Sequence, residues 1–227
     1  MIEHRWMTIF SAAAAAHLTF AAEAAANKRA HHMMTTTQPA PTPLPSQQTP
    51  VEARAIVDFW RAAGPGLWFA KDPEFDRRFR NRFLATYLAA TRDELADWSA
   101  TPEGALGLVI LLDQFPRNAF RGTSRMYATD PAAWQAADAA LKAGHDQDVE
   151  AGLRLFLCLP FGHSESLADQ ERSVALNEAL GEPNLSHAKR HRDIIKRFGR
   201  FPHRNPILGR PMTEAEQRYL NDGGYAG

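Results

Sequence analysis

Residues 107–122 read GLVILLDQFPRNAFRG, an apolar run that ends in polar residues and a proline. From Leu106 to Leu112 it predicts a helix that is apolar on every side, which is typical of a helix at the centre of a protein. The apolar run ends abruptly in Asp113 and Gln114, and Pro116 breaks the helix. We therefore expect a helical core whose central helix delivers polar side chains into the interior.

Prolines mark where the surrounding helices begin. Thr49, Asp72, Thr101 and Asp130 each precede a proline. This pattern places a side-chain oxygen at the N-cap and proline at the first helical position. The four sites therefore predict four helix starts.

Capping boxes and glycines complete the helix pattern. Thr49 with Glu52, and Thr213 with Glu216, have capping-box spacing. Helix ends are indicated by Gly64, Gly144, Gly181 and Gly199. The predicted helices cover 50–63, 73–91, 102–114, 131–143, 148–159, 165–180, 184–198 and 213–221. Short connections make neighbouring helices antiparallel, so we predict an all-α fold of stacked antiparallel helical hairpins without a clear sequence repeat.

The first part of the chain differs in composition. Residues 1–48 are Ala-rich and then Pro/Thr/Gln-rich, which predicts a disordered extension before a single all-α domain over 49–227. The Ala-rich run could instead be a secretory leader, or Met33 or Met34 the true start. We expect a cytoplasmic protein, with export as the alternative if the run is a leader. No run is apolar enough to suggest a membrane span.

The composition also limits the partners. The chain has 26 basic and 26 acidic residues among 227, so it has no overall attraction for nucleic acid or an anionic membrane. The sequence argues against nucleic-acid binding through residues 190–204, because no aromatic platform accompanies the basic residues. The single cysteine, Cys158, lies in an apolar run and is expected to be buried and inert.

Three tracts place polar residues where a core should be. The first is the end of the central helix, which supplies Asp113, Gln114, Arg117, Asn118 and Arg121. The alternative is structural: the arginines would cap the helix and pair with Asp113, because a buried charge must be paired.

The second tract, residues 159–176, reads LPFGHSESLADQERSVAL. Ser164 is expected to cap the following helix, with Glu165 and Asp169 at its positive end. A helical projection places Glu171 in the middle of the apolar face, next to Gln170, and therefore predicts a basic partner for it. That predicted inward face comprises Leu167, Ala168, Val174, Ala175 and Ala179; a face half open to solvent is the alternative.

The third tract, residues 187–205, reads HAKRHRDIIKRFGRFPHRN and holds seven Lys or Arg, three His and one acid. The projection turns His187 and His191 inward, whereas Arg190, Asp193 and Arg197 face solvent. A stiff loop follows, with four candidate ligand-binding residues: Arg200, His203, Arg204 and Asn205.

The sequence gives only weak support for a metal site or for a catalytic nucleophile. His187 and His191 have a spacing that two metal ligands can use, but a hydrogen-bonded core histidine is the stronger interpretation. Ser164 beside His163 lacks the context of a nucleophile elbow. We predict no metal and no cofactor.

Several tracts in order resemble the bacterial and plant family known as domain of unknown function 924. The resemblance runs from about Val51 to Leu220 and implies an all-α, tetratricopeptide-like fold without an established activity or site. Its motifs are WF at 68–69, FDRRFRNRF at 75–83, LLDQFPRNAFRG at 111–122, ATDPAA at 128–133, LPFGHSESLADQE at 159–171 and HRDIIKRFGRFPHRNPILGR at 191–210.

Two functions follow from these patterns. In the first, the three tracts form a pocket for a small phosphate- or carboxylate-bearing ligand, because guanidinium groups bind such anions in bidentate fashion. If the pocket is catalytic, His163, Glu171 or His191 is the expected general acid or base. In the second, the protein is a tetratricopeptide-like interaction scaffold for a protein or peptide, and the polar cluster is structural. Whether the chain is an enzyme stays open.

Overall fold

A computed structural model describes residues 48–227. Most of the extension predicted over 1–48, with its possible leader or later start, lies outside the described residues. The helices are α1 (Val51–Ala63), α2 (Pro65–Trp68), α3 (Pro73–Ala90), α4 (Pro102–Val109), α5 (Phe115–Ala119), α6 (Asp130–Lys142), α7 (Leu155–His163), α8 (Leu167–Leu180), α9 (Asn184–Phe198) and α10 (Glu214–Asn221).

The described residues contain no strand, and the all-α prediction is confirmed. Helix α4 packs against α1, α6 and α7, which places it in the centre as its apolar sequence predicts. The superhelical arrangement of a tetratricopeptide-like fold stays a prediction. Within residues 48–227, no helix has the length and hydropathy needed to cross a bilayer.

Proline-marked helix starts are confirmed in part. Asp72 accepts hydrogen bonds from two backbone N–H groups of α3, and Thr101 accepts one from α4. Thr213 forms the predicted capping box on α10. The box predicted for Thr49 is wrong, because Pro50 is the N-cap of α1 and the Thr49 hydroxyl lies 3.2 Å from that of Thr101.

Helix α7 begins later than predicted. Residues 148–154 form turns in which the Glu150 carbonyl accepts hydrogen bonds from the N–H groups of Leu153 and Arg154. Gly152 lies within these turns, where its backbone freedom disfavours a helix. The apolar run that starts at Leu155 is therefore the whole of α7.

An aromatic layer covers one side of the core. Phe75, Phe79, Phe83 and Tyr87 recur every four residues along α3 and form a buried aromatic stripe. The Phe59 ring of α1 stacks on those of Phe75 and Phe79, with centroids 5.4 and 5.1 Å apart. Such stacked pairs add to the stability that burial of the rings provides.

The central helix widens where its polar end begins. Residues Ile110–Gln114 form a π-helical turn, in which the Phe115 N–H donates to the Ile110 carbonyl. Because Pro116 has no N–H, the Leu112 carbonyl loses its helical donor. The Thr129 hydroxyl replaces that donor at 2.6 Å. This turn fixes the position of Asp113 and Gln114 in the interior.

Replacing Gly107 by alanine is expected to destabilise the contact between α1 and α4. An added Cβ would lie 2.9 Å from the Ala53 carbonyl oxygen, which is backbone and cannot rotate away. We expect a loss of about 1–3 kcal/mol in unfolding free energy, measured by urea denaturation. Gly152→Ala is the control, because nothing lies within 4 Å of its added Cβ. Equal stability of the two variants would contradict the close approach.

Candidate functional site

Asp113 is the centre of a buried polar cluster. It is only 1% exposed, and its Oδ2 accepts a hydrogen bond from the Gln114 amide at 2.6 Å. Arg117 Nη1 lies 3.2 Å from Asp113 Oδ1 and 2.8 Å from Asp130 Oδ1. Burial alone would raise the pKa of Asp113, but the charge of Arg117 and the hydrogen bonds from His163 and Gln114 outweigh it and hold that pKa well below its usual range.

His163, the last residue of α7, is oriented by Asp113. Its Nδ1 lies 2.8 Å from Asp113 Oδ1. An ionised carboxylate can only accept, so Nδ1 carries the proton and Nε2 keeps a free lone pair. Burial, and then the charge of Arg117, lower the pKa of His163. The ring is therefore a neutral base at physiological pH, held in one tautomer.

Arg204 completes the cluster from the loop after α9. Its guanidinium lies between the rings of Tyr127 and Phe201, 4.5 and 4.6 Å from their centroids. Nη2 donates to the His163 carbonyl at 3.0 Å, and Nη1 lies 3.4 Å from Asp130 Oδ2. Burial, followed by repulsion from Arg117, lowers the pKa of Arg204. Stacking and these bonds hold the guanidinium in place.

The cluster opens onto a cleft of about 560 Å³, which we call the His163 cleft. Two buried arginine nitrogens of the cluster, Arg117 Nη2 and Arg204 Nε, have no hydrogen-bond partner among residues 48–227. Such groups are costly to leave unpaired. The residues lining the cleft are Asp130, Pro131, Trp134, Gln135, Pro160, His163, Ser164, Glu165, Asp169 and Arg204.

A family model described as a bacterial protein of unknown function, DUF924, matches residues 56–224. The chain belongs to this family. It is similar to a solved structure, that of a protein of unknown function, ATU0120, from Agrobacterium tumefaciens. The two are 54% identical with a TM-score of 0.74, over 75% of this chain and 97% of that one. A comparison with curated proteins gave no match.

In this DUF924 protein, some residues of the first tract face away from the cleft. Asn118 donates to Asp76 Oδ1 at 2.7 Å. Arg121 binds the same carboxylate through two nitrogens, at 2.8 and 3.0 Å. These contacts tie α5 to α3, and the structure does not bring the two side chains to His163.

In the second tract, Gln170 stabilises a helix end, whereas Ser164 and Asp169 line the cleft. Gln170 is fully buried and donates to the carbonyls of Gly162 and Ser164, at 2.8 and 2.7 Å, so it caps α7. Ser164 and Asp169 line the cleft, joined by a hydrogen bond of 2.6 Å. The N-cap of α8 is Ser166 rather than Ser164, which corrects the prediction.

The predicted inward face of α8 is wrong except at Val174. The buried residues of this helix are Gln170, Ser173, Val174 and Asn177, whereas Ala168, Ala175 and Ala179 are exposed. The buried amide N–H groups of this helix donate hydrogen bonds, as when the Asn177 amide donates to the Ser173 carbonyl at 2.8 Å. A projection that equates apolar with inward therefore rotates the helix incorrectly.

Glu171 consequently lies on the surface rather than in the core. Its side chain is 48% exposed, and it pairs with Lys196 at 2.7 Å and Arg192 at 3.8 Å. The predicted basic partner exists, but it is a surface partner on α9. This position removes Glu171 from the candidate acid-base groups.

The histidines of the third tract differ from one another. His191 packs against Phe201 and Tyr225, with centroids 5.4 and 4.7 Å apart, and His203 lies 5.2 Å from Tyr225. Burial lowers the pKa of His191 to about 3 and that of His203 to about 4. His187 is exposed, contrary to the inward position predicted for it. Residues 48–227 hold no group of three side chains arranged to bind a metal.

The loop residues pair within the domain. Arg200 binds Glu216 through two nitrogens, at 2.6 and 2.9 Å, and hydrogen bonding from Arg200 lowers the pKa of Glu216 to about 2. Arg210 binds Glu165 at 2.6 and 3.0 Å and donates to Asn205 Oδ1 at 2.9 Å. Arg200 and Asn205 are thus hydrogen-bonded within the domain, and Glu165 is paired with Arg210 at the edge of the cleft.

Three residues of the cluster were missed in the sequence. Asp130 precedes a proline and was interpreted as an N-cap, yet Thr129 takes that position and Asp130 pairs with Arg117. Tyr127 and Arg210 lie outside any periodic pattern. The resemblance offered a partial signal, because Asp130 and Arg210 both belong to its quoted motifs.

Proposed function

We propose that this DUF924 protein binds a small anionic molecule in the His163 cleft, with Arg204 as the main anion-binding group. The observation that supports the proposal most strongly is the unpartnered Nε of Arg204, on a side chain only 8% exposed that lines the cleft. A carboxylate or phosphate oxygen is the acceptor that a guanidinium prefers. Such a ligand would satisfy a buried donor that residues 48–227 leave unsatisfied.

His163 would supply acid-base chemistry to that ligand. The Asp113 carboxylate fixes the ring so that Nε2 can accept a proton, and the buried acid stabilises the imidazolium that forms. This is the arrangement by which a carboxylate supports a histidine base in many hydrolytic sites. Of the other candidates, Glu171 is on the surface, and His191 packs against Phe201 and Tyr225 and does not line the cleft.

A thermal-shift screen of organic acids and phosphorylated metabolites tests the proposal. A ligand at a hundred times its Kd should stabilise the protein by about 2.7 kcal/mol. Arg204→Gln should weaken that ligand by roughly tenfold to a hundredfold, since it removes a charge-assisted hydrogen bond. Arg78→Gln, an exposed arginine of α3, is the matched control and should bind normally. If no anion stabilises the folded wild-type protein, the proposal fails and the cluster is a structural network.

A second candidate is the binding of an acidic peptide on α9. A groove of about 450 Å³ is lined there by three cations, with Ile194 and Phe198 as apolar contacts and one acid, Asp193, which pairs with Arg192. The three cations are Lys189, Arg190 and Arg197. None of these three cations forms an ion pair with a carboxylate of residues 48–227, which favours an acidic partner. Arg197→Glu should abolish the binding of labelled acidic peptides measured by fluorescence anisotropy, and an unchanged affinity would exclude the groove.

A further inference from the structure

The charges around the His163 cleft do not cancel. Glu165 is paired with Arg210, and the two arginines of the cluster, Arg117 and Arg204, face two carboxylates, Asp113 and Asp130. Asp169 lines the same cleft but forms no ion pair with a cation of residues 48–227. Its side chain accepts one hydrogen bond, from the Ser164 hydroxyl at 2.6 Å. One negative charge thus lies in the cleft without a cation beside it.

The position of Asp169 in α8 offsets this charge only in part. Asp169 lies in the first turn, where the helix dipole is equivalent to roughly half a positive charge at low ionic strength. An aromatic side chain, Trp134, lines the cleft with it. Carboxylates and indole rings both attract ammonium groups. The cleft therefore combines a cation-attracting side with the anion-attracting nitrogen of Arg204.

We propose that the ligand of the His163 cleft is a zwitterion, with an ammonium group held by Asp169 beside Trp134 and a carboxylate or phosphate held by Arg204. This inference rests on the proposed function, because it assumes that the cleft binds an anion. A simple anion would satisfy Arg204 but would bring no positive charge to Asp169. A simple amine would leave Arg204 Nε unpaired.

Matched ligands test the inference in the wild-type protein. Isothermal titration would compare ω-amino acids from glycine to 6-aminohexanoate with the carboxylate and the alkylamine of the same chain length. Phosphoethanolamine would show whether the anion is a phosphate rather than a carboxylate. We expect at least one zwitterion to bind more than tenfold tighter than both its matched carboxylate and its matched amine.

Asp169→Asn provides the matched variant, because an asparagine oxygen can still accept the Ser164 hydrogen bond while the charge is removed. It should weaken the zwitterion at least tenfold and leave the matched carboxylate unchanged or tighter. Asp193→Asn, an exposed acid of α9 outside the cleft, is the control and should change neither.

The outcomes separate the two proposals. If carboxylates bind as tightly as their zwitterions, the inference is overturned while anion binding stands. The same holds if Asp169→Asn weakens both ligands equally. If no ligand with an anionic group binds the wild-type protein, the anion site and the zwitterion fail together. The wild-type comparison decides the question even if the variant does not fold.

Discussion

Asp113→Ala is expected to cost about 3–5 kcal/mol in unfolding free energy, because it leaves the buried charge of Arg117 without one of its two partners. The same change removes the acceptor for His163 Nδ1 and for the Gln114 amide. Urea denaturation followed by far-UV circular dichroism measures the loss. Asp193→Ala, on the exposed side of α9, should lie within about 0.5 kcal/mol of wild type.

A small effect of Asp113→Ala would contradict the structure. A loss below about 1 kcal/mol is typical of an exposed pair, and would mean that Arg117 and His163 are solvated. Asp113→Asn refines the result, since an amide can still bond to its neighbours but carries no charge. Its cost should fall between those of wild type and alanine.

Acid is expected to destabilise the protein well before its carboxyl groups titrate in full. In the folded protein, the pKa values of His191 and His203 are about 3 and 4, below the ordinary 6.5. Between these values and pH 6.5, the unfolded chain therefore binds more protons than the folded chain. Their contribution to stability is therefore complete above pH 6.5 and is lost as the pH falls toward 4. With allowance for relaxation, we expect roughly 3 kcal/mol less stability at pH 4 than at pH 7.

The surroundings of His191 explain why its pKa is lowered. Desolvation is the main cause of the lowered pKa. The charges of Arg190 and Arg204, and that of His163 once it is protonated, also oppose a positive charge on the ring. Urea denaturation at several pH values measures the slope. His191→Phe should reduce this slope by about one proton, whereas the change His187→Gln, at an exposed histidine of α9, should not. An unchanged slope in His191→Phe would contradict the burial of this ring.

Much of the fold was predictable because its signals are local. The Asp72 and Thr101 caps, the Thr213 capping box and the α3 aromatic stripe depend on residues within one or two turns. Local geometry constrains such features whatever the rest of the chain does. The central helix was equally clear, since a helix that is apolar all round has to be covered.

The site was less predictable because its partners are distant in sequence. Gln170 of α8 faces inward because the carbonyls of Gly162 and Ser164, outside its own helix, accept its hydrogen bonds, which no helical projection shows. Glu165 pairs with Arg210, and Arg117 with Asp130, across separate elements. Charged residues at core positions indicated that ion pairs must form, but the tertiary packing determines which residues pair.

One stretch links the core to the cleft. The π-helical turn over Ile110–Gln114 follows the apolar part of the central helix, and Thr129 satisfies the carbonyl that Pro116 leaves free. Asp113 in that turn then orients His163. The burial that stabilises the fold therefore also orients His163, the proposed general base.

Anion binding by Arg204 is tested most directly by following its Nε–H resonance in ¹⁵N–¹H spectra. The resonance is assigned by its loss in Arg204→Lys. Arg200 Nε, already bonded to Glu216 at 2.6 Å, is the internal reference. If an anion binds at Arg204, we expect it to shift the Arg204 resonance with saturation while that of Arg200 stays in place. An Arg204 resonance that no anion moves, or ligand shifts confined to other arginines, would contradict it.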